Sequence, residues 1–278
     1  MNGPTLAHAA AGLAALAGIV LPCPASAADA PTRAALEVLA GRTVFFGHQS
    51  VGANILEGIA ELARRDGVAL RIVEVGRLGA RQPPGTFAHA NVAENGDPLR
   101  KLRSFDEALG PGPADVDVAF VKFCWVDFTK ETDATALFAA YRSTLAALRA
   151  RHPGTTFVHV TVPLTTVQGG WKALVKSFLG REPYGFLENA RREEFSELLR
   201  QAYRGKEPVF DLARVESTGL DGRPAAFERE GRRVPVLVAA FTDDGGHLNA
   251  EGRRRVASAL VELLAALPLP PRAPAATR

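Results

Sequence analysis

Short apolar runs alternate along most of the chain with stretches whose apolar residues recur every three or four positions. The runs TVFFG (Thr43 to Gly47), LRIVEVG (Leu70 to Gly76), VDVAFVKFCWV (Val116 to Val126), TFVHVTVP (Thr156 to Pro163) and PVFDLA (Pro208 to Ala213) predict five strands. Helical spacing predicts helices over Asn54 to Arg65, Asp97 to Leu109, a stretch after Asp133 that ends near Pro153-Gly154, Arg191 to Gly205, and Asn249 to about Leu267. Asp97 before Pro98, Asp133 and Asn249 are the expected N-caps. Strands separated by helices predict a five-stranded parallel sheet covered on both faces, a three-layer α/β/α sandwich. No repeat or low-complexity linker interrupts residues 28–268, which read as one domain.

Three connections exceed plain turns: Arg77 to Gly96, Leu164 to Ala190 and Glu216 to Thr242. Each leaves the carboxyl end of a predicted strand, the edge where open α/β sheets bind ligands. The third connection ends on FTDDGGHLNAEG, where Asp244 and His247 stand three apart before the last helix. A carboxylate bonded to one imidazole nitrogen fixes the tautomer and leaves the other nitrogen as a general base. At the other end of the chain, FFGHQSVGANI sets Ser50 directly after the first strand. A serine hydroxyl needs such a base to act as a nucleophile, and a serine at a helix start offers its own N–H to a developing oxyanion. Ser50, His247 and Asp244 are therefore the candidate catalytic triad. The competing reading of both segments is a polar turn at a helix start.

Asp244 to Gly252, DGGHLNAEG, resembles the C-terminal D-x-x-H block of SGNH (GDSL-type) hydrolases, and VFFGHQSVG stands where that family carries Gly-Asp-Ser. The resemblance covers most of the chain in element order and two blocks in residues. It implies ester chemistry without a cofactor, on an ester substrate such as an acetylated glycan. The alternatives are a sugar O-acyltransferase using the same triad, or a carbohydrate-binding protein without catalysis. The chain departs from the family twice. The Asp before the serine is absent, and Cys124-Trp125-Val126-Asp127 replaces Gly-x-Asn-Asp, so Val126 stands where the side-chain oxyanion donor belongs. Asn95 and Gly96, which also read as a plain turn, are the candidate replacement donors, with Asn54 a weaker one. His48 is a candidate substrate-binding residue or competing base, although neighbours along a turn point apart. Asp127 is expected to anchor a loop, and His159 and Asp211 to be buried structural residues. Trp171, Phe178, Tyr184 and Phe186 are expected to form a lid or a substrate wall.

Composition narrows the reading further. A net charge of +3 over 278 residues, with no run of five like charges, argues against a nucleic-acid partner. Histidines and cysteines lack metal-ligand spacing, and no phosphate-binding or dinucleotide glycine motif occurs, so neither metal nor cofactor is expected. Residues 1–27 combine an apolar core with Ala25-Ser26-Ala27 and read as a cleaved signal peptide, implying a secreted or periplasmic protein with no membrane anchor after cleavage. Cys124 is left as a lone cysteine, expected to be buried and free of any disulfide. Residues 269–278 are expected to be a disordered tail.

Overall fold

A computed structural model describes residues 30–79, 82–168, 183–229 and 231–269. The expected signal peptide, Trp171, Phe178 and all but the first residue of the expected tail lie outside these ranges. The elements run α1 (Ala30–Leu39), β1 (Thr43–His48), α2 (Ser50–Asp66), β2 (Arg71–Glu74), β3 (Thr86–Asn91), α3 (Pro98–Leu109), β4 (Val118–Val121), α4 (Ala134–Arg151), β5 (Thr156–Phe157), β6 (His159–Val160), α5 (Phe186–Tyr203), β7 (Val209–Phe210), α6 (Leu212–Glu216), β8 (Ala226–Arg229), β9 (Arg232–Pro235) and α7 (Ala250–Ala266).

Five strands form a parallel sheet in the order β2-β3-β1-β4-β5, flanked by helices on both faces. The expected α/β class is therefore the observed one. Strand membership differs in two places. β3 occupies the connection from Arg77 to Gly96 expected to be a loop, inserted between β1 and β2. The run expected as the fifth strand appears as β7, which pairs in parallel with β6 in a separate two-stranded sheet. The β5–β6 segment is one extended stretch whose two halves face different neighbours, β4 and then β7.

Alternation along β1 and β4 builds both cores. Val44, Phe46, Val118 and Phe120 point to one face and pack with α1, α2 and α7. Phe45, Ala119 and Val121 point to the other and pack with α3, α4 and α5. All six residues of β1 are buried, as a central parallel strand requires. Each fully buried Phe contributes roughly 1.5–3 kcal/mol. The N-caps form as expected: Asp97, Asp133 and Asn249 accept from the N–H groups of Arg100, Ala136 and Gly252. An antiparallel hairpin, β8–β9, fills part of the connection from Glu216 to Thr242, and its Phe227 packs on Phe186 of α5. Among the described residues no helix is long and apolar enough to cross a membrane.

Candidate active site

β3, β1 and β4 are adjacent and parallel, so the segments after their carboxyl ends share one edge. Those segments carry Asn95 and Gly96, Ser50, and Cys124 to Asp127. The loop before α7 joins them. Leu248 N–H donates to Asn54 Oδ1 at 3.2 Å, and Asn54 lies one helical turn after Ser50 on the same face of α2. That bond docks the His247 loop on the first turn of the serine helix.

Asp244 holds His247 with both oxygens. Oδ2 accepts from Nδ1 at 2.6 Å, while Oδ1 accepts the backbone N–H groups of Gly246 at 2.9 Å and His247 at 2.8 Å. An ionised carboxylate only accepts, so Nδ1 carries the proton, and in the neutral ring Nε2 is then the acceptor. Slight burial raises the Asp244 carboxyl, but the two N–H groups and the imidazole outweigh it and hold the group well below the usual carboxylate range. Trp125 packs edge-to-face on His247 with centroids 5.9 Å apart. Gly246 permits this approach, since a Cβ there would stand 2.9 Å from Trp125 Cε2.

Ser50 opens α2 and is half-buried, and no protein group accepts from its N–H among the described residues. Its hydroxyl contacts Cys124 Sγ at 3.9 Å, rather than His247. The helix docking brings the three triad candidates to one edge, with Ser50 Oγ turned toward Cys124. Beside the pair opens a cleft of about 540 Å³ walled by Trp125, Thr165, Thr166, Tyr184 and His247, with Ser50 outside its lining.

One of the two expected donors is occupied otherwise. Gly96 N–H donates to Asp127 Oδ1 at 2.8 Å, so it is not free to meet an oxyanion. Asn95 is exposed, and its Oδ1 accepts from Lys101 Nζ at 2.8 Å. Asp127 is the hub of this corner: Lys101 Nζ lies 2.8 and 2.7 Å from its two oxygens, and Cys124 N–H donates to Oδ2 at 2.6 Å. The residue expected to anchor a loop thus anchors two, the segments after β3 and β4.

His48 is also corrected. It is 2% exposed, lies 4.8 Å from the Phe46 ring, and spends both ring nitrogens inside the protein, so it is not open to substrate. Nδ1 lies 3.1 Å from Gln49 O, and Nε2 lies 3.1 Å from His89 Nδ1. Burial pushes His48 down to about 4; the Gln49 carbonyl opposes this, and His89 and Lys122 add to it. His159 is a satisfied core histidine between Tyr141 and Glu207, whereas Asp211, expected to be buried, is only partly so and is held by Arg200 and Arg204. Gln49, Trp125 and the tie through Asn54 carry no signal in the sequence beyond their places next to the two blocks. No group of three or more metal-ligating side chains occurs among the described residues.

No family model matches the chain, and no curated protein matches it. Solved structures with similar folds include a Streptococcus pneumoniae protein named after platelet activating factor (14% identical, 85% of this chain and 90% of that one, TM-score 0.48). Others are an acetyl esterase mutant with acetate ion (13%, 80% and 94%, 0.43) and the periplasmic domain of a Salmonella ser. Paratyphi A lipopolysaccharide acetyltransferase (12%, 79% and 82%, 0.41). With TM-scores below 0.5, these likenesses leave the activity to be argued from the chain's own side chains.

Proposed function

We propose that the protein is a serine esterase of SGNH type acting on an ester such as an acetylated glycan, exported by its first 27 residues. One observation carries the reading: an Asp244–His247 pair whose Nε2 has no partner among the described residues, docked through Asn54 on the helix that Ser50 opens. Ser50 Oγ attacks the ester carbonyl carbon while its proton passes to His247 Nε2. Asp244 holds the imidazolium that forms. The Ser50 N–H donates to the new oxyanion. Collapse breaks the bond to the alcohol, which leaves with the proton from His247. Water then attacks the acyl-enzyme by the same route, releasing the acid and Ser50. A sugar hydroxyl in place of that water makes the reaction an O-acyl transfer, and product analysis with and without a glycan acceptor separates the two.

The contact of Ser50 Oγ with Cys124, rather than His247, favours a second reading, a carbohydrate-binding protein without catalysis. Turnover of p-nitrophenyl acetate decides between them. The esterase reading expects Ser50→Ala to lower kcat by about six orders of magnitude. Turnover retained by that variant contradicts it, and glycan binding with no turnover by the wild-type chain selects the second reading.

A further inference from the structure

The two residues before Ser50 have no role in the chemistry above, yet they are among the most constrained at this edge. The Gln49 carbonyl receives Gly52 N–H at 2.6 Å and lies 3.1 Å from His48 Nδ1. The Gln49 side chain reaches across to the Val92 carbonyl at 3.4 Å and to that of Ala93, a non-glycine residue held at φ 42°. His48 is itself clamped from above, because a Cβ on Gly52 would stand 2.3 Å from His48 Cβ.

Hydrogen-bond logic fixes the imidazoles. A carbonyl only accepts, so His48 Nδ1 carries a proton. In the neutral ring Nε2 is then an acceptor, and the atom facing it, His89 Nδ1 at 3.1 Å, must be the donor. His89 is the half-buried outer member of the pair, on β3. The charged groups that act on the pair are Lys122 from the β4 side on His48, and Glu74 from β2 on His89. Both favour placing any added proton on His89, which keeps its Nδ1–H donor when protonated.

The consequence falls on Ser50. The Gln49 C=O and the Ser50 N–H belong to one planar trans peptide and point in opposite directions. Holding the carbonyl against His48 and Gly52 turns the Ser50 N–H away from them, and that N–H has no protein acceptor among the described residues. We propose that His89, acting through the Nδ1–H tautomer of His48, is a positioning residue that locks the Gln49–Ser50 peptide so that the Ser50 N–H serves as an oxyanion donor. The proposal rests on the reading of Ser50 as the nucleophile, and it assigns a place in the site to a pair outside the triad.

Asn is close to isosteric with the Cγ–Nδ1 edge of histidine, and Leu has the same outline without the donor. His89→Asn therefore keeps an N–H facing His48 Nε2, whereas His89→Leu removes it. Long-range proton–nitrogen spectra of the full chain at neutral pH are expected to show His48 as a neutral Nδ1–H ring. The Ser50 amide resonance is expected to move in His89→Leu and to hold its place in His89→Asn. With p-nitrophenyl acetate, His89→Leu should lower kcat about tenfold while KM changes less than about twofold, because an oxyanion donor acts on the transition state. His89→Asn should restore most of kcat. An Nε2–H tautomer at His48, an unmoved Ser50 amide in His89→Leu, or equal losses in the two variants would overturn the proposal. Absence of turnover in the wild-type chain strikes the esterase reading alone, since the tautomer and the amide resonance are read without substrate.

Discussion

Asp127→Asn should be among the most damaging single substitutions in the chain. The carboxylate is fully sheltered, as is its partner ammonium on Lys101. It accepts from Lys101 Nζ at 2.7 and 2.8 Å, Gly96 N–H at 2.8 Å and Cys124 N–H at 2.6 Å. An amide keeps the shape but supplies one acceptor oxygen. Whichever way it is turned, its NH₂ faces a backbone N–H and the ammonium. Removing one partner of a buried pair costs about 3–5 kcal/mol, mostly through the charge left behind. For a chain of this size that corresponds to a fall in Tm of roughly 6–20 °C. Thermal unfolding followed by circular dichroism, with urea titration as a check, measures it. The double variant Lys101→Met with Asp127→Asn removes both charges, keeps an oxygen for one of the two N–H groups, and should lose less than the single one. A single variant within about 1 kcal/mol of wild type, or a double variant less stable than the single, would refute the reasoning. Because Asp127 ties the segments after β3 and β4, activity should fall even at temperatures where the variant stays folded.

Other outcomes follow from the same geometry. Asp244→Asn should lower kcat by about 10³–10⁴ at neutral pH by losing the tautomer lock on His247, measured with p-nitrophenyl acetate; a loss below tenfold would remove Asp244 from the triad. Since Asp244 is held well below the usual carboxylate range, it stays ionised through mild acid, and the acid limb of the wild-type rate profile should not be its own. Gly246→Ala puts a Cβ within 2.9–3.1 Å of the Trp125 ring, so it should displace Trp125 against His247 and cut kcat about tenfold, with stability lower by roughly 1–3 kcal/mol. Glu216 is fully buried, and burial raises its carboxyl from 4.5 to about 8, against the opposing pull of the Leu164 N–H, Lys122 and Arg192. The folded state therefore holds a proton that the unfolded state has released between these values. The stabilisation is complete below about 4.5 and is lost as pH rises to about 8. Glu216→Gln should flatten that decline, by a few kcal/mol at order of magnitude, in urea titrations at mildly acidic and mildly basic pH; parallel pH dependences would contradict it.

The layered class was legible because β1 and β4 are buried on both faces and their neighbouring helices keep a clean apolar stripe. β3 was not legible: THR-PHE-ALA-HIS-ALA-ASN, Thr86 to Asn91, carries one large apolar side chain and follows Pro83-Pro84-Gly85, so loop signals outweighed it. β7 was read as a full strand, yet only two residues pair, since Asp211 turns the chain into α6 under the hold of Arg200. At the site, the D-x-x-H spacing foretold the Asp244–His247 bond because three residues of one glycine-rich loop suffice to make it. The Gly96 donor and the substrate role of His48 were misplaced for the opposite reason. What occupies Gly96 N–H is a carboxylate 31 positions away, and what occupies His48 is a histidine 41 positions away. Local patterns do not reveal such long-range pairings.

The central claim is that Ser50 is the nucleophile, and covalent capture tests it most directly. The wild-type chain treated with a fluorophosphonate should gain one adduct by intact mass, peptide mapping should place it on Ser50, and Ser50→Ala should gain none. An adduct on Cys124 or elsewhere, an adduct that persists in Ser50→Ala, or no adduct at all would contradict the account.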